Sequence, residues 1–234
     1  MQSKLKTLTQ MCSIEFIFLQ LSYELKNLKT GNLFFVLLSV LSLFACNQEK
    51  SGVNQLSQSD ENKATIIIQP FDEFPENETQ TIAVELRKVY SKVTINKNIP
   101  FPSNSINPSG KRYRADSLIK YLSKHAPKNT LIIGLTNKDI STQKGEIKDW
   151  GVFGLGYCPG KSCIASNFRL KGKNRAEKLY KVAIHELGHT QGLPHCPIKT
   201  CLMRDAKGKD VLNEEKEFCN KCKKGLINAN WAFK

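Results

Sequence analysis

Histidine is scarce in this chain, with four in 234 residues, and three of them (His185, His189 and His195) fall in one short run. Acidic residues are also in the minority, 21 against 35 Lys and Arg, which leaves a formal charge of +14. Such a balance suits nucleic acid, anionic lipid or acidic peptides. No long block of like charge carries it, however. Patches such as Lys221-Cys222-Lys223-Lys224 are short, so the charge reads as a solvated surface. A long membrane-spanning run is missing as well: Leu33 to Ala45 is continuously apolar or small, but too short for an ordinary span. No internal repeat occurs, which excludes a solenoid or propeller.

What the chain does have is His185-Glu186-Leu187-Gly188-His189-Thr190-Gln191-Gly192-Leu193-Pro194-His195. Residues four apart share a helix face, so His185 and His189 can hold one metal ion together. Neutral imidazoles suit tetrahedral Zn²⁺, with one position left open in a catalytic site. Glu186 follows the first ligand and can serve as a base without ligating. Gly192 supplies the positive φ that ends the helix, and Pro194 discourages a restart. The chain then turns back and presents His195 as the third ligand. A lone His-x-x-x-His is weak, but the full His-Glu-x-x-His-x-x-Gly-x-x-His pattern gives each position a separate mechanical job.

Eight cysteines are present, and four follow this motif: Cys196, Cys201, Cys219 and Cys222, with Met203 just past the second. Two close pairs match a closed structural zinc site. In an oxidising compartment the same four could instead form two disulfides. The run His185 to Cys222 resembles the archaemetzincins, metallopeptidases that add a four-cysteine zinc site to the metzincin motif. The stretch between Met203 and Cys219 is slightly shorter than in that family, a small departure in an expected loop.

The resemblance implies an α+β, zincin-like domain over residues 64–234, with a mixed twisted sheet, packed helices and a zinc-stabilised C-terminal subdomain. It implies two zinc ions per chain, one catalytic on His185, His189 and His195, the other structural on the four cysteines. Glu186 then activates the zinc-bound water for attack on a peptide bond. Met203 looks like the methionine of the Met-turn, beneath the metal. Ile164, Ala165, Ser166, Asn167 and Phe168 are implied as the sheet-edge strand that faces an extended peptide substrate.

Two other classes compete with this reading. A catalytically silent zinc-binding surface lipoprotein would have no need of Glu186. A nucleic-acid module built on the cysteines and the basic charge explains neither the histidines nor the N-terminal segment, so no nucleic acid is expected. A monomer is expected.

Residues 1–46 read as a signal peptide, Leu33 to Ala45 being its apolar core. Leu43-Phe44-Ala45-Cys46 resembles a bacterial lipobox, in which Cys46 is lipidated, although Phe44 is bulky for its place. The region before it is long, which fits a true start further along the chain. Residues 47–63 form a polar linker that cannot bury enough apolar surface to order itself. The expected location is the bacterial cell envelope, lipid-anchored. The alternative is a cytoplasmic protein with Leu33 to Ala45 in its core.

Along the folded part, Ala64 to Gln69, Ser91 to Asn96 and Leu131 to Thr136 read as strands. Thr79 to Tyr90 and Arg114 to His125 read as helices, with Ile82, Val84, Leu86 and Val89 as inner-face candidates in the first. Val152 to Tyr157 and Cys163 to Leu170 read as two joined strands. Ile99 to Gly110, with its prolines, reads as a loop. The alternation predicts a mixed sheet with packed helices. Asn174 and Glu177 have capping-box spacing at the start of the zinc helix. Gly188 within that helix points to close approach of a neighbouring strand or helix. His125, near a helix C-terminus, reads as structural. Cys158 and Cys163 are either a local disulfide or two free thiols.

Overall fold

In the computed structural model, which describes residues 63–108 and 110–233, the chain runs through thirteen elements. They are β1 (Thr65–Pro70), α1 (Glu76–Arg87), β2 (Val93–Ile95), a 3₁₀ turn (Ser103–Ser105), β3 (Tyr113–Arg114), α2 (Ala115–His125) and β4 (Thr130–Thr136). There follow β5 (Ile140–Lys144), β6 (Ile147–Val152), β7 (Gly154–Gly156), β8 (Ser162–Ser166), α3 (Arg175–Thr190) and α4 (Asn220–Asn228). The expected signal peptide, Cys46 and all of the expected linker but Lys63 lie outside the described residues.

The main sheet has the order β2-β1-β4-β8-β7. Its first four strands are parallel, and β7 closes it antiparallel to β8. Parallel strands covered on both faces need apolar residues on both, which is why β1 and β4 lack polar alternation. Ile66 and Ile68 face one core with Leu131, Ile133 and Leu135. Ile67 and Ile132 face the other, with Leu118, Ile119 and Leu122 of α2. Helices α1 and α3 and the C-terminal residues cover the first face. The fold is the expected α+β arrangement.

Several local expectations change. Helix α1 begins at Glu76, directly after Pro75, rather than at Thr79. Its buried stripe is Thr79, Ile82, Ala83 and Leu86, whereas Val84 is 53% exposed. Two positions along a helix turn a side chain to nearly the opposite side, so Ile82 and Val84 cannot share a face. Asn174 stands at the N-terminus of α3 without a side-chain cap. Glu177 instead pairs with Lys181 at 2.8 Å. Val152 belongs to β6, not to the strand after it. Cys158 and Cys163 are both free thiols, the first exposed and the second buried. His125 accepts a structural role, its Nδ1 lying 2.8 Å from the Tyr121 carbonyl oxygen.

Sequence reading missed the small second sheet, of order β3-β5-β6. Its hairpin has little apolar periodicity to find, because much of it is solvent-facing. Ion pairs hold it in place. Arg112 bonds Asp139 and Asp149, and Arg169, just past β8, bonds Asp139. The hairpin thereby stands as a wall beside the end of the main sheet.

Candidate active site

Helix α3 is buried on most sides, with Leu179, Val182, Ala183, Ile184 and Leu187 in the core. Two buried lysines tie it to the chain that follows. Lys178 pairs with Asp210 at 2.7 Å, and the Lys181 ammonium donates to the carbonyls of Leu212 and Glu215 at 2.9 and 2.8 Å. At its C-terminus Gly192 has φ of 85°. The Leu193 amide donates to the Gly188 carbonyl and the Gly192 amide to the His189 carbonyl. This is the Schellman arrangement, and it needs a residue tolerant of positive φ. It reverses the chain and carries His195 back towards the helix.

The ring nitrogens of His185, His189 and His195 fall into one group, each offering an atom within 4.8 Å of the others. The hydrogen bonds identify the tautomers. His185 Nδ1 is 2.6 Å from the Leu202 carbonyl oxygen and His189 Nδ1 is 2.7 Å from that of Leu193. A carbonyl only accepts, so each Nδ1 carries the proton and each neutral ring leaves Nε2 bare. Burial, aided by the neighbouring histidines, pushes His185 down to about 3, and burial lowers His189 too. Two bare Nε2 atoms therefore face each other 3.0 Å apart. Lone pairs so placed repel, and a cation between them turns the repulsion into coordination. The donor set fits zinc.

Glu186 is buried behind this group, and burial pushes its carboxyl up to about 8. Strand β7 crosses directly over it. A Cβ on Gly154 would lie 2.7 Å from Glu186 Oε1, and one on Gly156 would lie 2.8 Å from the Glu186 carbonyl oxygen. Only glycine lets strand and carboxylate approach this closely. Gly154→Ala should therefore displace the carboxylate and, on the expectation that Glu186 is the base, lower turnover about tenfold or more, since small misplacements of a reacting group are costly. Turnover per bound metal measures it, and unchanged turnover would mean the strand gives way instead.

The sheet edge at the cleft is β7, which corrects the expectation for Ile164 to Phe168. Ile164, Ala165 and Ser166 are buried in β8, between β4 and β7. Asn167 is buried and donates to Glu78. Phe168 alone of the five reaches the cleft, where it is 57% exposed. The sequence signal for the true edge was Gly154-Leu155-Gly156, since paired glycines in a strand mark close backbone approach.

The cleft has a volume of about 540 Å³ and is lined by His185, Glu186 and His195 together with Trp150, Phe153 and Glu215. Sequence reading missed Trp150 and Glu215, neither of which belongs to a motif. Met203 is fully buried. A Cβ on Gly188 would sit 2.5 Å from its Sδ, so the reason for Gly188 is a side chain from a loop rather than a strand or helix.

Cys196, Cys201, Cys219 and Cys222 also come together, their sulfurs all within 4.8 Å of one another. None is in a disulfide. Cys196 and Cys219 sulfurs are 3.8 Å apart. A tetrahedron with zinc–sulfur arms of about 2.3 Å has edges of roughly 3.8 Å, whereas a disulfide would need about 2.05 Å. The Cys219 amide donates to Cys201 Sγ at 3.3 Å, as suits a thiolate. Cys201, Leu202 and Met203 are consecutive, and each meets a different partner: the cysteine cluster, His185 and Gly188.

Residues 81–228 match the model of peptidase family M54. The archaemetzincin of Natronomonas pharaonis is 28% identical over 176 residues, covering 68% of this chain and 98% of that protein. That of Haloquadratum walsbyi is 29% identical over 175 residues, covering 68% and 97%. Among solved structures, archaemetzincin from Archaeoglobus fulgidus, complexed with malonate, is similar at a TM-score of 0.59 and 26% identity, covering 69% of this chain and 99% of that one. Archaemetzincin from Methanopyrus kandleri shares the fold at a TM-score of 0.62 and 24% identity, covering 72% and 96%.

Proposed function

We propose, for a chain that belongs to peptidase family M54 and is a zinc metallopeptidase, that Glu186 is its catalytic base and that two zinc ions serve it. His185, His189 and His195 would hold the catalytic ion, and Cys196, Cys201, Cys219 and Cys222 the structural one. The observation that carries the first assignment is the pair of bare Nε2 atoms 3.0 Å apart. Bound zinc supplies Lewis acidity, polarising the scissile carbonyl and easing deprotonation of water.

The chain's own residues do the rest. The Leu202 and Leu193 carbonyls fix the two rings and raise the basicity of each Nε2. The Glu186 carboxylate takes a proton from the attacking water and returns it to the leaving amine nitrogen. Burial favours the protonated carboxyl, which helps the acceptance step, and a nearby cation opposes that bias and restores the base. Strand β7 ends the sheet, so an extended peptide can add to it by backbone hydrogen bonds. A digest of an unbiased peptide library, with and without a chelator, tests the reading. Cleavage that chelator stops and zinc restores supports it, and chelator-insensitive or absent cleavage would sink it.

The enzyme is further proposed to act as a monomer at the bacterial cell envelope, held by lipid on Cys46. The apolar run that ends at Leu43-Phe44-Ala45-Cys46 supports this. Labelled fatty acid should enter the native chain and not Cys46→Ala; equal labelling of both would overturn the anchor.

A further inference from the structure

We infer that the part of the cleft lined by Val182, Leu212 and Glu215 receives a lysine or arginine side chain of the substrate, with Glu215 as the anion that binds its charge. The inference rests on the peptidase reading above. Glu215 is 3% exposed, yet it lines the same cleft as His185 and Glu186. Its Oε2 is buried and has no hydrogen-bond partner among the described residues. A buried polar atom left so is uncommon and destabilising, and it calls for a partner that arrives later.

Among the described residues, the protein's own cations do not fill that role. Lys181 donates to the Leu212 and Glu215 backbone carbonyls and pairs with Glu177. Arg204 pairs with Glu214 at 2.7 Å. Both cations lower the Glu215 pKa from a distance, but burial is the larger effect and pushes the carboxyl up to about 7. Elsewhere in the cleft, Arg169 is bound to Asp139. Lys171 and Lys207 are exposed at its rim, where solvent and salt screen their repulsion of an incoming cation.

The walls fit the stem of such a side chain. Val182 and Leu212 line the cleft and are themselves well buried, at 4% and 7% exposure. An aliphatic stem can lie along them while its charged head reaches Glu215. Val182 is four residues before Glu186, on the same face of α3. This part of the cleft therefore lies one helical turn from Glu186, the distance of a substrate side chain next to the scissile bond rather than a remote docking site. Neutral side chains of equal length would fill the walls and leave the carboxylate unpaired.

The test uses the zinc-loaded protein and pairs of peptides that differ only in lysine against norleucine at one position, the cleavable frame being found by the library digest. Lysine should raise kcat/KM roughly 10- to 100-fold at one position beside the cut, the range expected of a hydrogen bond to a charged group. Glu215→Gln should bring that ratio close to one. Equal rates for the two peptides at every position, in an enzyme that cleaves and responds to chelator, would overturn the inference and leave the peptidase reading standing. So would a lysine preference that survives in Glu215→Gln. Absence of any chelator-sensitive cleavage would instead remove the peptidase reading, and this inference with it. Where the variant fails to accumulate, equal wild-type rates for lysine and norleucine still overturn the inference.

Discussion

Glu186→Gln should keep its zinc and lose between about 10² and 10⁴ of its peptide turnover, the range that a positioned general base contributes. Glutamine has nearly the same shape, and Glu186 is not among the three histidines whose ring nitrogens converge. The change therefore removes proton acceptance and leaves the ligand set intact. It also spares the packing against Gly154, where a bulkier side chain would collide with β7. Bound zinc and turnover must be measured on one preparation, so that metal loss is not mistaken for loss of the base. A variant with full zinc and undiminished turnover would remove Glu186 from the mechanism.

The second large effect is expected at the cysteine cluster. Cys219→Ser should lower the bound zinc from two ions to one and the melting temperature by more than about 10 °C. Structural zinc contributes about 10–16 kcal/mol of apparent binding free energy in small metal-folded peptides, comparable to or larger than the whole stability of an ordinary domain. Loss of even several kcal/mol would shift the midpoint by about 2–4 °C for each. Activity should fall with stability, because one loop ties the cluster to the three histidines: the Cys196 amide donates to the Met203 carbonyl at 2.7 Å, and Leu202 holds His185. Elemental analysis with calorimetry on matched samples measures it. Two zinc ions in the variant, or four disulfide-linked cysteines in the parent, would rule out the structural zinc.

The convergence of the histidines and of the cysteines was legible in the sequence because it depends on residue type at fixed spacing. His185, His189 and His195 meet where helical geometry and the glycine stop place them, and the four cysteines meet as two close pairs suggest. The central strands were legible for a similar reason, since long apolar runs have few other uses. Failures cluster where tertiary contact decides. Ile164 to Phe168 and Gly154 to Gly156 are both short and apolar, and nothing local says which has a neighbour on each side. Glu215 resembles any surface glutamate until the fold buries it. The hairpin of β5 and β6 is held by ion pairs from distant parts of the chain, and no window of sequence contains both partners. Val84 is the simplest miss, an apolar residue on the wrong side of a helix whose true stripe begins with a threonine.

Cys201, Leu202 and Met203 also govern where this chain can change length. Each contacts a different partner across a single peptide step, so one inserted or deleted residue among them would shift all three contacts out of register. The segment from Cys196 to Met203 is closed in the same way by the bond from the Cys196 amide to the Met203 carbonyl. Beyond Arg204, which still bonds Glu214 and the Lys199 carbonyl, that restriction eases, because the next ties to the helix are Asp210 on Lys178 and the carbonyls of Leu212 and Glu215 on Lys181. Insertions and deletions are thus steered into residues 205–209, where Gly208 lies against Trp150 at the cleft, so changes of length there would reshape the cleft while sparing its three histidines.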